Sequence, residues 1–216
     1  MVIALLSAIV IVVIVHVSAM AACARLLGIG VTRIVFGMGP TVLDLGRVHI
    51  APLPLGGHVR LARSDDGPKP PPPERAFDLQ PRWKRFVLPL AGPAVLLALG
   101  YAALGAAAGP AFADAFGQIV GGALHPFGAA QAHLAAARAW LDGRTLPAIV
   151  GIVACKTAAY NMLPFIGSNG VQAVYGLLPF AAAESPPSRR LAPVLLVAML
   201  VLAGGWLLAL LVAALG

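Results

Sequence analysis

Residues 2–22 read VIALLSAIVIVVIVHVSAMAA, an apolar run interrupted beyond its middle by a single histidine, His16. A helix needs about 20 apolar residues to cross the roughly 30 Å hydrocarbon core of a bilayer, and this run contains no Lys, Arg, Asp or Glu. We therefore expect a first transmembrane helix over 1–22. An ionisable side chain at that depth is costly and by default indicates a functional site, so a functional His16 requires a polar partner elsewhere in the chain.

The composition places the whole chain in a membrane. The sequence is 60% hydrophobic and only 11% charged, whereas an average soluble domain is about half apolar and about one quarter charged. On such a protein the net charge of +7 indicates cytoplasmic loops and contact with the lipid bilayer, and we expect no nucleic-acid partner. The two cysteines lie in apolar surroundings and imply no disulfide framework.

Three further segments have the length and apolarity of membrane spans. A second helix is predicted over 86–108 and a fourth over 191–215. The third, over 147–180, is interrupted by Pro164 and by the Gly167–Gly170 stretch, so we expect two half-helices joined by an unwound turn. Irregular backbone at membrane depth is tolerated only where it is buried in protein or lines a cavity. The connection over 109–146 is less apolar and is expected to be interfacial.

The distribution of Lys and Arg predicts the orientation of the chain. Residues 23–85 contain ten Lys and Arg against five Asp and Glu, whereas the 109–146 connection contains two Arg. Because cytoplasmic loops carry the excess of positive charge, the first and third connections are predicted to be cytoplasmic. About four spans then leave both termini outside the cytoplasm.

The long first loop has two parts. Residues 33–62 alternate apolar and polar side chains in short runs separated by Gly and Pro, which predicts a small β-rich element against the membrane core. Residues 63–82 begin with RSDDGPKPPPPER, which is typical of a charged, Pro-rich linker that is extended and solvated. We expect these parts and the helices to form a single membrane domain over 1–216.

Five motifs occur in an order that resembles the site-2 protease family of intramembrane zinc metalloproteases. They are HVSAM at 16–20, ARLLGIGVTRIVFGMGP at 24–40, PLGGHVRL at 54–61, WKRFVLPLAGP at 83–93 and NMLPFIGSNG at 161–170. The resemblance covers residues 10–95 and 150–175. It implies a site-2 protease-like, α-helical polytopic fold, and a location in the bacterial inner (plasma) membrane.

The resemblance also implies where the family's zinc site would lie. In His-Glu-x-x-His, two histidines four residues apart on one helix face ligate zinc, and the glutamate is the general base. Here the first histidine is His16, but Val17 stands at the general-base position and Met20 at the second histidine. The family's third ligand, an aspartate, corresponds to Asn169. Valine cannot accept a proton and an amide is a poor zinc ligand, so the resemblance implies a degenerate site with no intact catalytic set.

Two other segments resemble the family's substrate-binding parts. One is the strand that contains Gly56, Gly57 and His58, since edge strands bind extended peptides by β-addition. The other is the third-helix motif, which implies roles in substrate binding for Asn161, Pro164 and Gly170. The alternatives are a plain structural hairpin for the first and an ordinary helix-breaking turn for the second.

Three functions remain open from the sequence. The first is an inactive pseudoprotease that binds transmembrane segments of other membrane proteins and needs no cofactor. The second is an active intramembrane zinc endopeptidase with atypical ligands. The third is a small structural or transporter-like membrane protein. A soft-metal site formed by His16, Met20 and Cys23, which share one helical stripe, is a further alternative to packing.

Overall fold

The computed structural model describes residues 2–67, 69–178 and 186–215. The chain begins with one helix, continues through a four-stranded sheet, and ends with six helices. In chain order the elements are α1 (Val2–Leu26), β1 (Val31–Met38), β2 (Leu43–Leu45), β3 (Val48–Ile50), β4 (Leu53–Leu61), α2 (Arg82–Leu104), α3 (Ala108–Leu124), α4 (Ala129–Leu141), α5 (Leu146–Met162), α6 (Asn169–Leu177) and α7 (Pro186–Leu215).

Within the described ranges, three helical segments are long and apolar enough to cross a membrane. They are Val2–Leu26, the Arg82–Leu124 segment that comprises α2 and α3, and Leu191–Leu215. The predicted third span is divided, since α5 ends at Met162 and α6 begins at Asn169; positions 179–180 of that prediction lie outside the described residues. With 17 residues, α5 is about 25 Å long, slightly shorter than the hydrocarbon core. The number of spans, about four, therefore stays a prediction.

α5 lies inside the bundle and packs against α1, α2 and α3. Its buried face consists largely of small side chains, which let helices approach closely where lipid provides no hydrophobic drive for association. A Cβ added at Gly151 would come within 2.8 Å of Ala103 on α2. A Cβ added at Gly100 would collide with the sulfur of Cys155. The two glycines and Cys155 thus set the short distance between α2 and α5.

The 109–146 connection differs from the expected interfacial loop because it forms the helices α3 and α4. Phe112 near the start of α3 and Leu141 at the end of α4 both pack on the buried cluster that contains Ile149. α7 lies against this pair: Trp206 donates to the carbonyl of Ile119, and Gln131 donates to the carbonyl of Ala209. The many Ala and Gly residues, which make the segment only weakly apolar, are what allow this close packing.

The β-rich loop predicted over 33–62 forms a sheet with strand order β2-β3-β1-β4. β1 is parallel to β3 and antiparallel to β4, so β4 is an edge strand. One face of the sheet packs on the C-terminal half of α1, where Val31 and Ile34 join a buried cluster with Val17. The sheet is therefore tied to the helix that carries His16.

The 63–82 segment is more ordered than the solvated linker that its composition predicts. It contains two short 3₁₀ helices, Pro73–Arg75 and Phe77–Leu79. Gln80 donates to the carbonyls of Glu74 and Ala76, and Asp78 accepts a hydrogen bond from the backbone of Ser64. Apolar packing of Phe77 on the α1–sheet cluster and these polar contacts hold the segment, although its proline content suggested none.

Candidate functional site

His16 lies on the buried face of α1, directly against α2. Its side chain is 8% exposed, and a Cβ added at Gly92 would lie 2.6 Å from its Nδ1. Only a residue without a side chain fits beside the imidazole, which explains why α2 has a glycine at position 92. The Nδ1 atom is buried without a hydrogen-bond partner among the described residues.

Met20 and Asn169 meet on the same side of α2. The amide nitrogen Nδ2 of Asn169 lies 2.7 Å from the carbonyl oxygen of Pro89 and 3.4 Å from the sulfur of Met20. The carbonyl of Pro89 is free because its helical partner would be the N–H of residue 93, which is a proline. Since a carbonyl oxygen can only accept, the amide must turn its N–H group toward it. Asn169 therefore supplies the donor that Pro93 lacks.

A capped turn holds Asn169 in this place. After α5 ends, Gly167 adopts a positive φ of 84°, and Ser168 then forms the N-cap of α6 by accepting from the N–H of Val171. Ser168 is 1% exposed and Asn169 is the first residue of the helix. The unwound turn predicted around 164–170 therefore exists, and it directs Asn169 toward α1 and α2. A serine cap without a following glutamate gives little sequence signal, so the role of Ser168 was not predicted.

Val17, at the general-base position, packs against the edge strand. It is 1% exposed, and a Cβ added at Gly57 would come within 2.8 Å of its Cγ2 atom. The same added Cβ would lie 2.5 Å from the carbonyl of Val35 on β1. Gly57 thus allows β4 to lie close to α1, and an apolar methyl group occupies the place where a proton acceptor would stand.

The donor atoms at these positions do not fit a zinc ion. Protein zinc sites use imidazole, thiolate and carboxylate ligands in a tetrahedral arrangement. Here there are one imidazole, one thioether and one amide, and the amide turns its N–H group toward the thioether. Among the described residues no three His, Cys, Asp or Glu side chains form a group that could hold a metal. Cys23, the third member of the soft-metal alternative, packs on the apolar cluster with Val17.

A cavity of about 460 Å³ lies between α1, β4 and α5. Its walls include His16 and Val17 from α1, Gly56 and Gly57 from β4, and Asn161 from α5. Most of the surface is apolar, and the edge strand β4 contributes Pro54–Gly57 to the wall. The structure thus brings together three of the six substrate-binding candidates, Gly56, Gly57 and Asn161. The amide of Asn161 donates to the carbonyl of Thr157 in its own helix, as an ordinary helix-end asparagine does.

The other three candidates do not line this cavity. The side chain of His58 on β4 is exposed in part; the partial burial of its imidazole and the charge of Arg33 lower its pKa below the ordinary value. Pro164 is exposed in the turn after α5. Gly170 is buried for packing, since a Cβ there would lie 2.7 Å from the carbonyl of Met162. These positions shape the turn and the sheet rather than the cavity wall.

Lys156 is the cavity residue that sequence reasoning missed. It lies on α5 among the lining side chains, is half-buried, and donates from Nζ to the side-chain oxygen of Gln118 on α3. Its signal was present, since it is the single charged residue in the apolar run 145–183. Its partner lies in the 109–146 connection, which was not expected to enter the helix bundle.

The comparison with known proteins identifies the family of this site. A sequence profile described as peptidase family M50 matches residues 4–205. The chain belongs to peptidase family M50. This is the site-2 protease family that the five motifs resemble, so the resemblance is confirmed.

One curated relative also matches part of this M50 chain. A Ralstonia nicotianae protein named "Putative zinc metalloprotease" is 36% identical over 119 residues, 48% of this chain. The aligned part is 26% of the relative's length, so this chain spans about a quarter of the protein that it matches. Family membership and the apolar helices together make the chain metalloprotease-like and membrane-embedded.

Proposed function

We propose that this M50 member is a pseudoprotease, which binds transmembrane segments of other membrane proteins without cutting them. The observation that carries the proposal is the hydrogen bonding of the Asn169 side chain. Both hydrogen atoms of its amide face protein acceptors, the carbonyl of Pro89 and the sulfur of Met20. The family's third ligand position thus serves to join α1, α2 and α6. With Val17 at the general-base position, the site lacks the carboxylate that would take the proton from a zinc-bound water.

The binding part of the proposal is supported by the cavity and the strand beside it. An edge strand offers unpaired N–H and C=O groups, which bind extended peptides by β-addition. β4 is such a strand, and the apolar wall of α1 and α5 opposite it suits the side chains of a membrane segment. We propose the bacterial plasma membrane as the location, with both termini outside the cytoplasm.

Photocrosslinking in reconstituted vesicles tests binding and cleavage together. A photoreactive amino acid replaces Leu55, which lines the cavity and is 65% exposed. The control variant carries it at Leu43, on the opposite edge of the sheet. A leucine-rich probe helix of about 20 residues should crosslink at position 55 and not at 43, and mass spectrometry should find it full-length. Equal crosslinking at the two positions would contradict the binding function.

A second candidate is supported by the family itself, namely an active zinc endopeptidase with atypical ligands. M50 is a peptidase family, and the curated relative carries a metalloprotease name. The same assay separates the candidates when zinc is present. A shortened probe, together with one zinc per chain that His16→Ala abolishes, would favour the enzyme over the pseudoprotease.

A further inference from the structure

Lys156 places a positive charge in a cavity that is otherwise apolar or uncharged. Among the residues that line the cavity, it is the single Lys or Arg, and no Asp or Glu accompanies it. It lies ten residues after Leu146 and six before Met162, which is about 15 Å and about 9 Å along the axis of α5. Lys156 is therefore set well back from both ends of α5. Side chains of this kind in membrane spans line substrate paths or pair with one another.

The pairing of Lys156 within the described residues is incomplete. An ammonium group has three donors, and Gln118 accepts one of them. Asp114, one turn earlier on α3, acts on the lysine through its charge, but it is exposed and no ion pair joins the two side chains. A neutral amide positions the ammonium group and leaves its charge to be balanced by something else. The side that remains open faces the cavity.

We propose that Lys156 selects the segment that the cavity binds, favouring transmembrane segments with an Asp or Glu in their apolar part. This inference rests on the proposed function, because it names the chemistry of the segment that β4 and α5 would enclose. A carboxylate there pairs with the ammonium group in a medium of low dielectric, where charge-assisted hydrogen bonds are strong. The pairing also removes the cost that the acidic residue carries in lipid alone.

The geometry favours a protein segment over an anionic lipid. A lipid phosphate lies at the bilayer surface, whereas Lys156 is about 9 Å from the nearer end of α5. On the other side of the cavity, the β4 edge offers backbone hydrogen bonds to an extended polypeptide. An acyl chain has no donors or acceptors with which to form them. A polypeptide with a carboxylate opposite α5 can form both the backbone hydrogen bonds with β4 and the ion pair with Lys156.

The test uses the Leu55 crosslinking assay in phosphatidylcholine vesicles with three probe helices. The probes differ only at their central residue, which is Leu, Asn or Asp. We expect the Asp probe to crosslink about tenfold more than the Asn probe, as one charge-assisted hydrogen bond predicts. Lys156→Met should lower capture of the Asp probe to the level of the Asn probe, so that this preference is lost. Lys156→Arg should retain the preference.

The outcomes separate the inference from the function on which it rests. Capture of all three probes without a preference for Asp, or a preference that survives Lys156→Met, overturns the inference alone. Failure to capture any probe overturns both. If phosphatidylglycerol in the vesicles removes the Asp preference of the unmodified chain, the charge serves a lipid and the inference is wrong. Gln118→Leu removes the acceptor of the lysine and keeps its charge, so it should keep or increase the preference. This variant tests the role of the charge even if Lys156→Met fails to fold.

Discussion

The amide nitrogen of Asn169 lies 3.4 Å from the sulfur of Met20, and it also donates to the carbonyl that Pro93 leaves free on α2. Two positions that correspond to zinc ligands in the site-2 protease family are therefore in direct side-chain contact here. The contact makes Asn169 a packing residue with a specific hydrogen-bonding task, which a carboxylate could not perform because it has no donor at neutral pH.

Asn169→Asp alone should therefore destabilise the protein. The substitution leaves the carbonyl of Pro89 without its donor and places a negative charge beside it. We expect a loss of about 2 kcal/mol in the free energy of unfolding, which lowers the melting temperature by roughly 4–8 °C. Thermal unfolding in detergent, followed by tryptophan fluorescence, measures the effect.

Gln172→Glu is the matched control for this substitution. It makes the same change of amide to carboxylate on the exposed side of α6, where the side chain donates to the carbonyl of Gly167. Surface substitutions of this kind change stability by about 0.5 kcal/mol or less. If Asn169→Asp proves as stable as Gln172→Glu in metal-free detergent, the structural role assigned to Asn169 is wrong.

Gly92→Ala tests how closely α1 and α2 approach at His16. The new methyl group would lie 2.5 Å from Cε1 of the imidazole, so the helices or the ring must shift. Overpacking of this kind costs about 1–3 kcal/mol. The double variant Gly92→Ala with His16→Ala should recover most of the loss, because the small side chain at 16 makes room.

Gly121→Ala provides the comparison within the same protein. A Cβ at Gly121, in α3, meets nothing within 4 Å, and alanine has the higher helix propensity. This variant should unfold at the same temperature as the unmodified chain or slightly above it. Equal losses for the substitutions at 92 and 121 would mean that His16 does not occupy the space beside α2.

The orientation of the chain is open to a reporter experiment. The ten Lys and Arg of residues 23–85 predict that the sheet and the Pro-rich segment are cytoplasmic. A fluorescent protein that matures only in the cytoplasm should therefore be dark when fused after Leu215. Inserted within the exposed part of 63–75, it should be bright. A bright fusion after Leu215 would contradict the predicted orientation and the number of spans together.

The sequence predicts most helices and the β-rich element over 33–62 because their signals are local. The apolar run of α1, the alternation in 33–62 and the interruption at Pro164 each depend on neighbouring residues. The meeting of Met20 with Asn169 was implied by the family resemblance and not by any local pattern. Resemblance was needed because 149 positions separate these two residues along the chain.

The sequence could not predict the contacts made by α3. Its many Ala and Gly residues lower the apolar signal of the segment, yet they are what permit α3 to pack against α5 and α7. The Lys156–Gln118 pair depends on this packing, so a lysine in an apolar run could be noticed but not given a partner. In the same way, Pro93 predicts that the carbonyl of Pro89 lacks its helical donor, but only the fold determines that Asn169 donates to it.

Restoring the family's residues tests how much of the zinc site the scaffold retains. The variant carries Val17→Glu, Met20→His and Asn169→Asp together. Met20 and Asn169 are in contact, His16 lies one turn away on α1, and Val17 is among the residues that line the cavity. Two imidazoles at i and i+4 and one carboxylate form a complete zinc ligand set. We expect this triple variant to bind about one zinc per chain.

Zinc should also restore the stability that Asn169→Asp removes. The metal takes over the carboxylate at 169, so the triple variant should unfold at a higher temperature with zinc than with a chelator. Each single reversion should bind well below one zinc, because one or no further ligand is then in place. Cleavage of the probe helix is a separate question, since the groups that orient zinc ligands contribute roughly 10- to 100-fold and Asn169 has lost that setting here. A triple variant that folds and binds no zinc would show that His16, residue 20 and residue 169 do not converge on one point.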